Sequence, residues 1–201
     1  MIGGSGAVAR AASSEDWPRT VAEFEAWHAR QPERWEFIDG RPRLMAPASL
    51  DHTIIKNNAG FALRAALQRR GTALIGPQIV TGDISAIPDV VVTCAPLDHS
   101  SPAIAEPTII VEVMSPKSEA DDTGRKWQAY QKIASLKHYI LLSQDQRLVN
   151  VHSRAGDLWR ERFLDAGTVD LDDPAVRLAI EDLYAATDIA AWPTVTAASR
   201  P

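Results

Sequence analysis

The sequence predicts a mixed α/β fold in which helices flank a sheet. Apolar residues recur at helical spacing in some stretches and alternate or run continuously in shorter extended ones, and the two kinds interleave along the chain. At 201 residues, with 45% hydrophobic and 23% charged positions, the chain has the size and composition of one globular domain. No apolar run approaches the roughly 20 residues of a membrane helix. A single cysteine, Cys94, excludes an internal disulfide and a cysteine-based zinc site, and fits a reducing, cytoplasmic setting. The formal net charge of −5 argues against a protein that coats nucleic acid nonspecifically, although a local basic patch can coexist with it.

Residues 1–16, rich in Gly, Ala and Ser, read as a disordered lead, residues 17–192 as one domain, and residues 193–201 as a disordered tail. Within 18–31, Val21, Phe24 and Trp27 have helical spacing, and Thr20 with Glu23 forms a capping box. Residues 35–45 hold two extended runs around Asp39-Gly40, a hairpin signal. From 51 to 70, Ile54, Ile55, Phe61, Leu63 and Leu67 make an apolar helical stripe, capped by Ser49 or Asp51 and ended by Gly71 in a left-handed conformation. Residues 72–80 and 87–93 read as strands, and 108–114, nearly all apolar, as a buried central strand. Ser118 with Asp121 should open a helix running to about Ser135, with Gly124 weakening it by roughly 1 kcal/mol. Strands follow at 138–142, 148–153 and 159–164, the last two joined by a turn at Ala155-Gly156-Asp157, then a short helix at 180–186.

Chemistry is expected where acids interrupt apolar strands. Glu112 stands inside Ile109-Ile110-Val111-Glu112-Val113, where an unpaired carboxylate costs several kcal/mol. By alternation it shares a face with Ile110 and Met114. Asp89 opens the run Val90-Val91-Val92, and on a neighbouring strand it can converge with Glu112 at one end of the sheet. Such oxygens suit a hard cation, Mg²⁺ or Mn²⁺. On the next helix Lys126 shares a face with Ala129, Tyr130 and Ile133, which brings an ammonium towards the acids. The six tryptophans read as core and hairpin packing, not nucleotide stacking, and the cluster Arg64, Arg69 and Arg70 as a solvated face or a contact to DNA backbone.

Pro88-Asp89 followed a strand later by Val111-Glu112-Val113 resembles the PD-(D/E)XK nuclease superfamily, and more closely the Uma-type restriction endonucleases. Trp35-Glu36-Phe37-Ile38-Asp39-Gly40, His52 at a helix start, Pro88-Asp89-Val90-Val91-Val92, Val111-Glu112-Val113-Met114-Ser115-Pro116, Gly124 through Tyr130 with Lys126, and His138-Tyr139-Ile140 carry the resemblance, over roughly residues 21–184. It implies a restriction-endonuclease-like core extended by an N-terminal helix and hairpin and by C-terminal strands. It also implies Mg²⁺ held by Asp89, Glu112 and the backbone carbonyl of Val113, and hydrolysis of phosphodiesters in nucleic acid, with DNA the expected substrate. Position 114 is Met where the superfamily has lysine, and the Uma-type pattern moves that lysine to Lys126. His52 and Glu36 join the implied site residues, His52 as a proton shuttle, a phosphate contact or a support for the ligands, Glu36 as a third acid.

Each of these residues also has an ordinary reading: Asp89 capping a turn, Glu112 in an ion pair with Lys126 or an arginine, Lys126 solvated, His52 polar at a helix start, Glu36 a hairpin charge. The rival functions are a catalytically inactive nuclease-fold protein that binds nucleic acid or a protein partner, and an assembly role in which the sheet edge dimerises. A symmetric homodimer would suit double-strand cutting.

Overall fold

The computed structural model describes residues 17–114 and 122–191. The expected lead, the tail beyond Ala191 and the Ser118/Asp121 capping box lie outside the described residues. In chain order the elements are α1 (Val21–His28), β1 (Trp35–Ile38), β2 (Arg41–Leu44), α2 (Leu50–Leu67), β3 (Thr72–Ile75), β4 (Gln78–Thr81), β5 (Ile84–Ala86), β6 (Val90–Thr93), β7 (Ala103–Ile104), β8 (Ile109–Met114), α3 (Asp122–Tyr130), β9 (His138–Ser143), β10 (Val149–Ala155), β11 (Leu158–Leu164), β12 (Thr168–Asp172), β13 (Ala175–Ala179) and α4 (Ile180–Leu183).

A six-stranded mixed sheet, ordered β11-β10-β9-β8-β6-β3, forms the centre, and β8 pairs with β9 in parallel and with β6 antiparallel. Alternation sorts its side chains. Val90, Val92, Val111 and Val113 face Ile55, Ala59 and Leu63 of α2 and the two-stranded β12-β13 sheet. Val91, Ile110, Tyr139 and Leu141 face Ala129 and Tyr130 of α3 and Ile38, Ile79 and Ile84 of a second sheet, ordered β2-β1-β5-β4-β7. The middle strands β6, β8 and β9 are thus buried on both faces, as the nearly unbroken apolar run of β8 requires. No helix among the described residues is long and apolar enough to cross a membrane.

Local signals decide most boundaries. The Glu23 N–H donates to Thr20 Oγ1 at 3.2 Å, and Glu23 Oε2 accepts the Arg19 N–H at 2.8 Å, one residue before the usual reciprocal partner. Asp39 (φ 55°) and Gly40 (φ 69°) form the two-residue loop joining β1 to β2, and positive φ at both positions is what a type I′ turn demands. Ser49 rather than Asp51 caps α2, accepting from the His52 N–H at 3.1 Å.

Five expectations need correction. Gln68 (φ 57°), not Gly71, adopts the left-handed conformation after α2. Gly71 is required for a different reason: a Cβ there would stand 3.0 Å from the Thr93 carbonyl oxygen. The strand expected over 72–80 divides at Gly76-Pro77 into β3 of the central sheet and β4 of the second sheet, because Gly76 (φ 63°) turns the chain and Pro77 cannot donate to a ladder. The strand expected over 87–93 is shorter, β6 beginning only at Val90, and the unanticipated β5 precedes it in the second sheet. Finally, α3 ends at Tyr130 in successive turns instead of reaching Ser135, and the expected 180–186 helix is the short α4, preceded by the unanticipated β12-β13 hairpin.

Candidate active site

Strand alternation puts Glu112 on the face of the central sheet that α3 covers. Two side chains one helical turn apart meet its Oε1, Lys126 Nζ at 3.1 Å and the Tyr130 hydroxyl, which donates at 3.1 Å. Lys126 also reaches back to β1, 3.0 Å from Glu36 Oε2 and 3.2 Å from Oε1. Glu36 is 5% exposed, and its Oε1 accepts the Ile87 N–H at 2.9 Å. One ammonium therefore ties an acid of the second sheet to an acid of the central sheet, in the protein interior.

The electrostatics show that this cluster is short of positive charge. Burial, reinforced by the nearby charges of Asp89 and Glu36, pushes the Glu112 carboxyl up to about 8 against the opposing pull of Lys126. Burial alone would lower the Lys126 ammonium, but Glu112 and Glu36 outweigh it and hold Lys126 well above the usual lysine range. Tyr130 is also held well above the usual phenol range, by burial first and then by Glu112 and Glu36.

Asp89 lies just before β6, where the Val90–Val111 register sets it beside the peptide joining Glu112 to Val113. Its Oδ2 accepts the Val113 N–H at 2.8 Å and stands 3.2 Å from His52 Nε2. Its Oδ1 is 3.8 Å from Lys56 Nζ, and its main-chain carbonyl accepts the Gly76 N–H at 2.8 Å. His52 Nδ1 is buried with no hydrogen-bond partner among the described residues. The predicted residues fall into two groups sharing consecutive residues of β8: Glu112 with Lys126 and Glu36, and Val113 with Asp89 and His52. Helices on opposite faces of the central sheet serve the two acids, α3 for Glu112 and α2 for Asp89.

Among the described residues, no group of three or more His, Cys, Asp and Glu side chains forms a metal cage. The donor set implied by the sequence is different, two carboxylates and a backbone carbonyl, and the excess of buried negative charge around Glu112 fits an added cation. Lys56 was not among the expected residues. Its signal was its place four positions after His52, on the same face of α2. Arg64, Arg69 and Arg70 are exposed, as expected of a solvated face, and two of them also donate to main-chain carbonyls, Arg64 to Ala73 at 3.0 Å and Arg70 to Ala66 at 2.9 Å.

Residues 21–185 match the family model Uma2, described as "Putative restriction endonuclease". The chain is 31% identical over 169 residues to the uncharacterized protein slr1290 of Synechocystis sp., a match covering 81% of this chain and 89% of that protein. A second Synechocystis protein, sll1609, is 27% identical over 145 residues, covering 69% of this chain and 82% of that protein. The fold is similar to the crystal structure of a "putative nuclease belonging to DUF820" from Anabaena variabilis, with a TM-score of 0.68 and 20% identity over 83% of this chain and 98% of that one. The family match spans α1 through α4 and takes in both acids, the lysine and the histidine, and on that ground the chain belongs to the Uma2 family.

Proposed function

We propose that this Uma2 protein is an endonuclease that hydrolyses phosphodiester bonds of DNA with the help of Mg²⁺ or Mn²⁺, residues 17–192 forming one catalytic domain. The observation that carries this reading is that Glu36, Glu112 and Asp89, far apart in sequence, are gathered by β1, β8 and the start of β6 around Lys126 and the Glu112–Val113 peptide. Asp89, Glu112 and the Val113 carbonyl are the residues that would hold the cation. When bound, it supplies Lewis-acid stabilisation of the phosphoryl oxygens and acidifies water. Lys126, kept protonated by its two carboxylates, offsets negative charge developing on the phosphate. Tyr130 fixes one oxygen of Glu112, His52 steadies Asp89, and Lys56 adds a cation where a phosphate would approach.

The test is cleavage of plasmid and single-stranded DNA with Mg²⁺, with Mn²⁺ and with chelator, comparing wild type with Asp89→Ala and Glu112→Ala. Loss of cleavage in both variants and in chelator is expected, whereas equal activity in all three proteins would remove the assignment. His52→Ala should retain residual activity, reduced by about 10- to 100-fold, as for other groups that orient a metal ligand.

A second reading has an observation in its favour. Lys126 already pairs with Glu112, as it would in a catalytically inactive protein that binds nucleic acid or a partner protein. Cation titration separates the two: intact DNA binding with no divalent-cation stabilisation would favour the inactive form. A cytoplasmic location accords with the single exposed thiol of Cys94. A homodimer suited to double-strand cutting would show as doubled mass in light scattering.

A further inference from the structure

The register of the central sheet lays a straight row of side chains across four strands. Glu112 pairs with Leu141, Leu141 with Asn150, and Asn150 with Phe163. Directly opposed residues point to the same side of a sheet, and strands lie about 4.8 Å apart. Asn150 therefore lies about 10 Å from Glu112 and Phe163 about 14 Å, on the face that carries the acid. Met114, two residues beyond Glu112, and Trp127, adjacent to Lys126, flank the row. Leu141, Asn150 and Phe163 of the row, with Met114 and Trp127, line a cavity of about 310 Å³ beside Glu112, within the size range of small-molecule sites.

Its chemistry suits a flat ligand with apolar faces and a polar edge. Leu141, Met114, Trp127 and the 61% exposed ring of Phe163 supply apolar and aromatic surface. The polar groups converge from β10 and β11. Asn150 Nδ2 donates to Glu161 Oε1 at 2.8 Å, which leaves Asn150 Oδ1 buried with no partner among the described residues. His152 stacks on Trp127 with centroids 4.3 Å apart, its Nε2 3.6 Å from Glu161 Oε1, and burial holds its imidazole below the usual value against the pull of Glu161. A buried acceptor without a donor carries a desolvation cost that a ligand N–H would remove.

We infer that this cavity binds the unpaired nucleobase of a nucleotide flanking the phosphate held beside Lys126, so that the protein acts on single-stranded or locally opened DNA. The inference rests on the nuclease reading and adds the substrate class. A base stacked inside a duplex cannot enter a cavity of this kind; it must be unpaired or turned out of the helix. Aromatic surface next to a phosphate site is how single strands are held without regard to sequence, and the exocyclic amine or ring N–H of a base supplies the donor that Asn150 Oδ1 lacks.

The test measures binding in chelator, where no cleavage occurs, by fluorescence anisotropy of the full chain with a labelled single strand of about 12 nucleotides. Its duplex and a fully abasic strand of the same backbone are measured alongside. Expected is clear preference for the single strand, with Asn150→Ala and Phe163→Ala each weakening it about 10-fold and the abasic strand bound no better than those variants bind DNA. Phe61→Ala, which removes an exposed aromatic on α2 away from this face, should bind as wild type and controls for general loss of apolar surface. Equal affinity for strand and duplex, for abasic and normal strands, or for pocket variants and wild type would overturn the inference. The nuclease reading would then still stand if cation-dependent cleavage persists and is lost in Asp89→Ala. Absence of both nucleic-acid binding and cleavage would remove both readings together.

Discussion

An ammonium 3.0 Å from one buried carboxylate and 3.1 Å from another cannot be deleted without leaving like charges facing each other in the interior. Lys126→Met should therefore destabilise the cation-free protein by about 3–5 kcal/mol, read from urea unfolding, and added Mg²⁺ should return part of that loss if the acids accept a cation. Because this cost arises whether Lys126 is catalytic or structural, instability of the variant alone does not separate the two roles; the Mg²⁺ response does. A second titratable residue offers an independent test away from the site. His138 opens β9 with Nδ1 2.9 Å from Ser153 Oγ, and burial holds its imidazole below the usual value, partly countered by Asp172 and Asp173. The unfolded chain takes up a proton near pH 6.5 while the folded one still resists, so stability falls as pH drops through about 6.5 and levels off below the folded value. His138→Gln should flatten that part of the profile, and parallel wild-type and variant curves between about pH 7.5 and 5.5 would show that His138 does not carry it.

At the scale of elements, α2 matters because its first turns deliver His52 and Lys56 to Asp89. Ser49→Ala removes the side-chain acceptor of the His52 N–H and should cost about 1 kcal/mol, seen as a lower Tm, while loosening the turn that bears His52. Elements whose signal is local were legible in the sequence: the Asp39-Gly40 hairpin, the Thr20 and Ser49 caps and the apolar run of β8. The divided strand was not, because Thr72 through Val80 carries strand propensity throughout, and which sheet each half joins depends on distant partners. The β12-β13 hairpin had a period-two signal in Val169, Leu171, Val176 and Leu178, but the turn-forming Asp170, Asp172, Asp173 and Pro174 among them obscure it. Among site residues, Glu112 announced itself as a charge inside an apolar run. The Asn150–Phe163 row could not, since it exists only once the register of four strands is known.

For the molecule as a whole, the net charge of −5 makes coating of the nucleic acid backbone unfavourable, so on the proposed nuclease reading affinity would come from a few local cations, a metal if one binds, and the row beside Glu112. If Asp89 and Glu112 take a divalent cation, folding and binding are linked. At about 100 times its Kd the ion should raise the Tm by roughly 5–10 °C, a rise absent in Asp89→Ala. Calorimetry with and without Mn²⁺ checks this, and an unchanged wild-type Tm would count against a cation site. Two of the places where the chain leaves one sheet for the other are Gly76-Pro77 and the link between β5 and β6, and a main-chain N–H at each of these is tied to a different acidic residue. The Gly76 proton rests on the Asp89 carbonyl and the Ile87 proton on the Glu36 carboxylate. Deuterium uptake at these two amides thus works as a pair of gauges across the seam: an ion drawing the acids together should slow exchange at both, while an occupant confined to the outer strands should leave both rates alone.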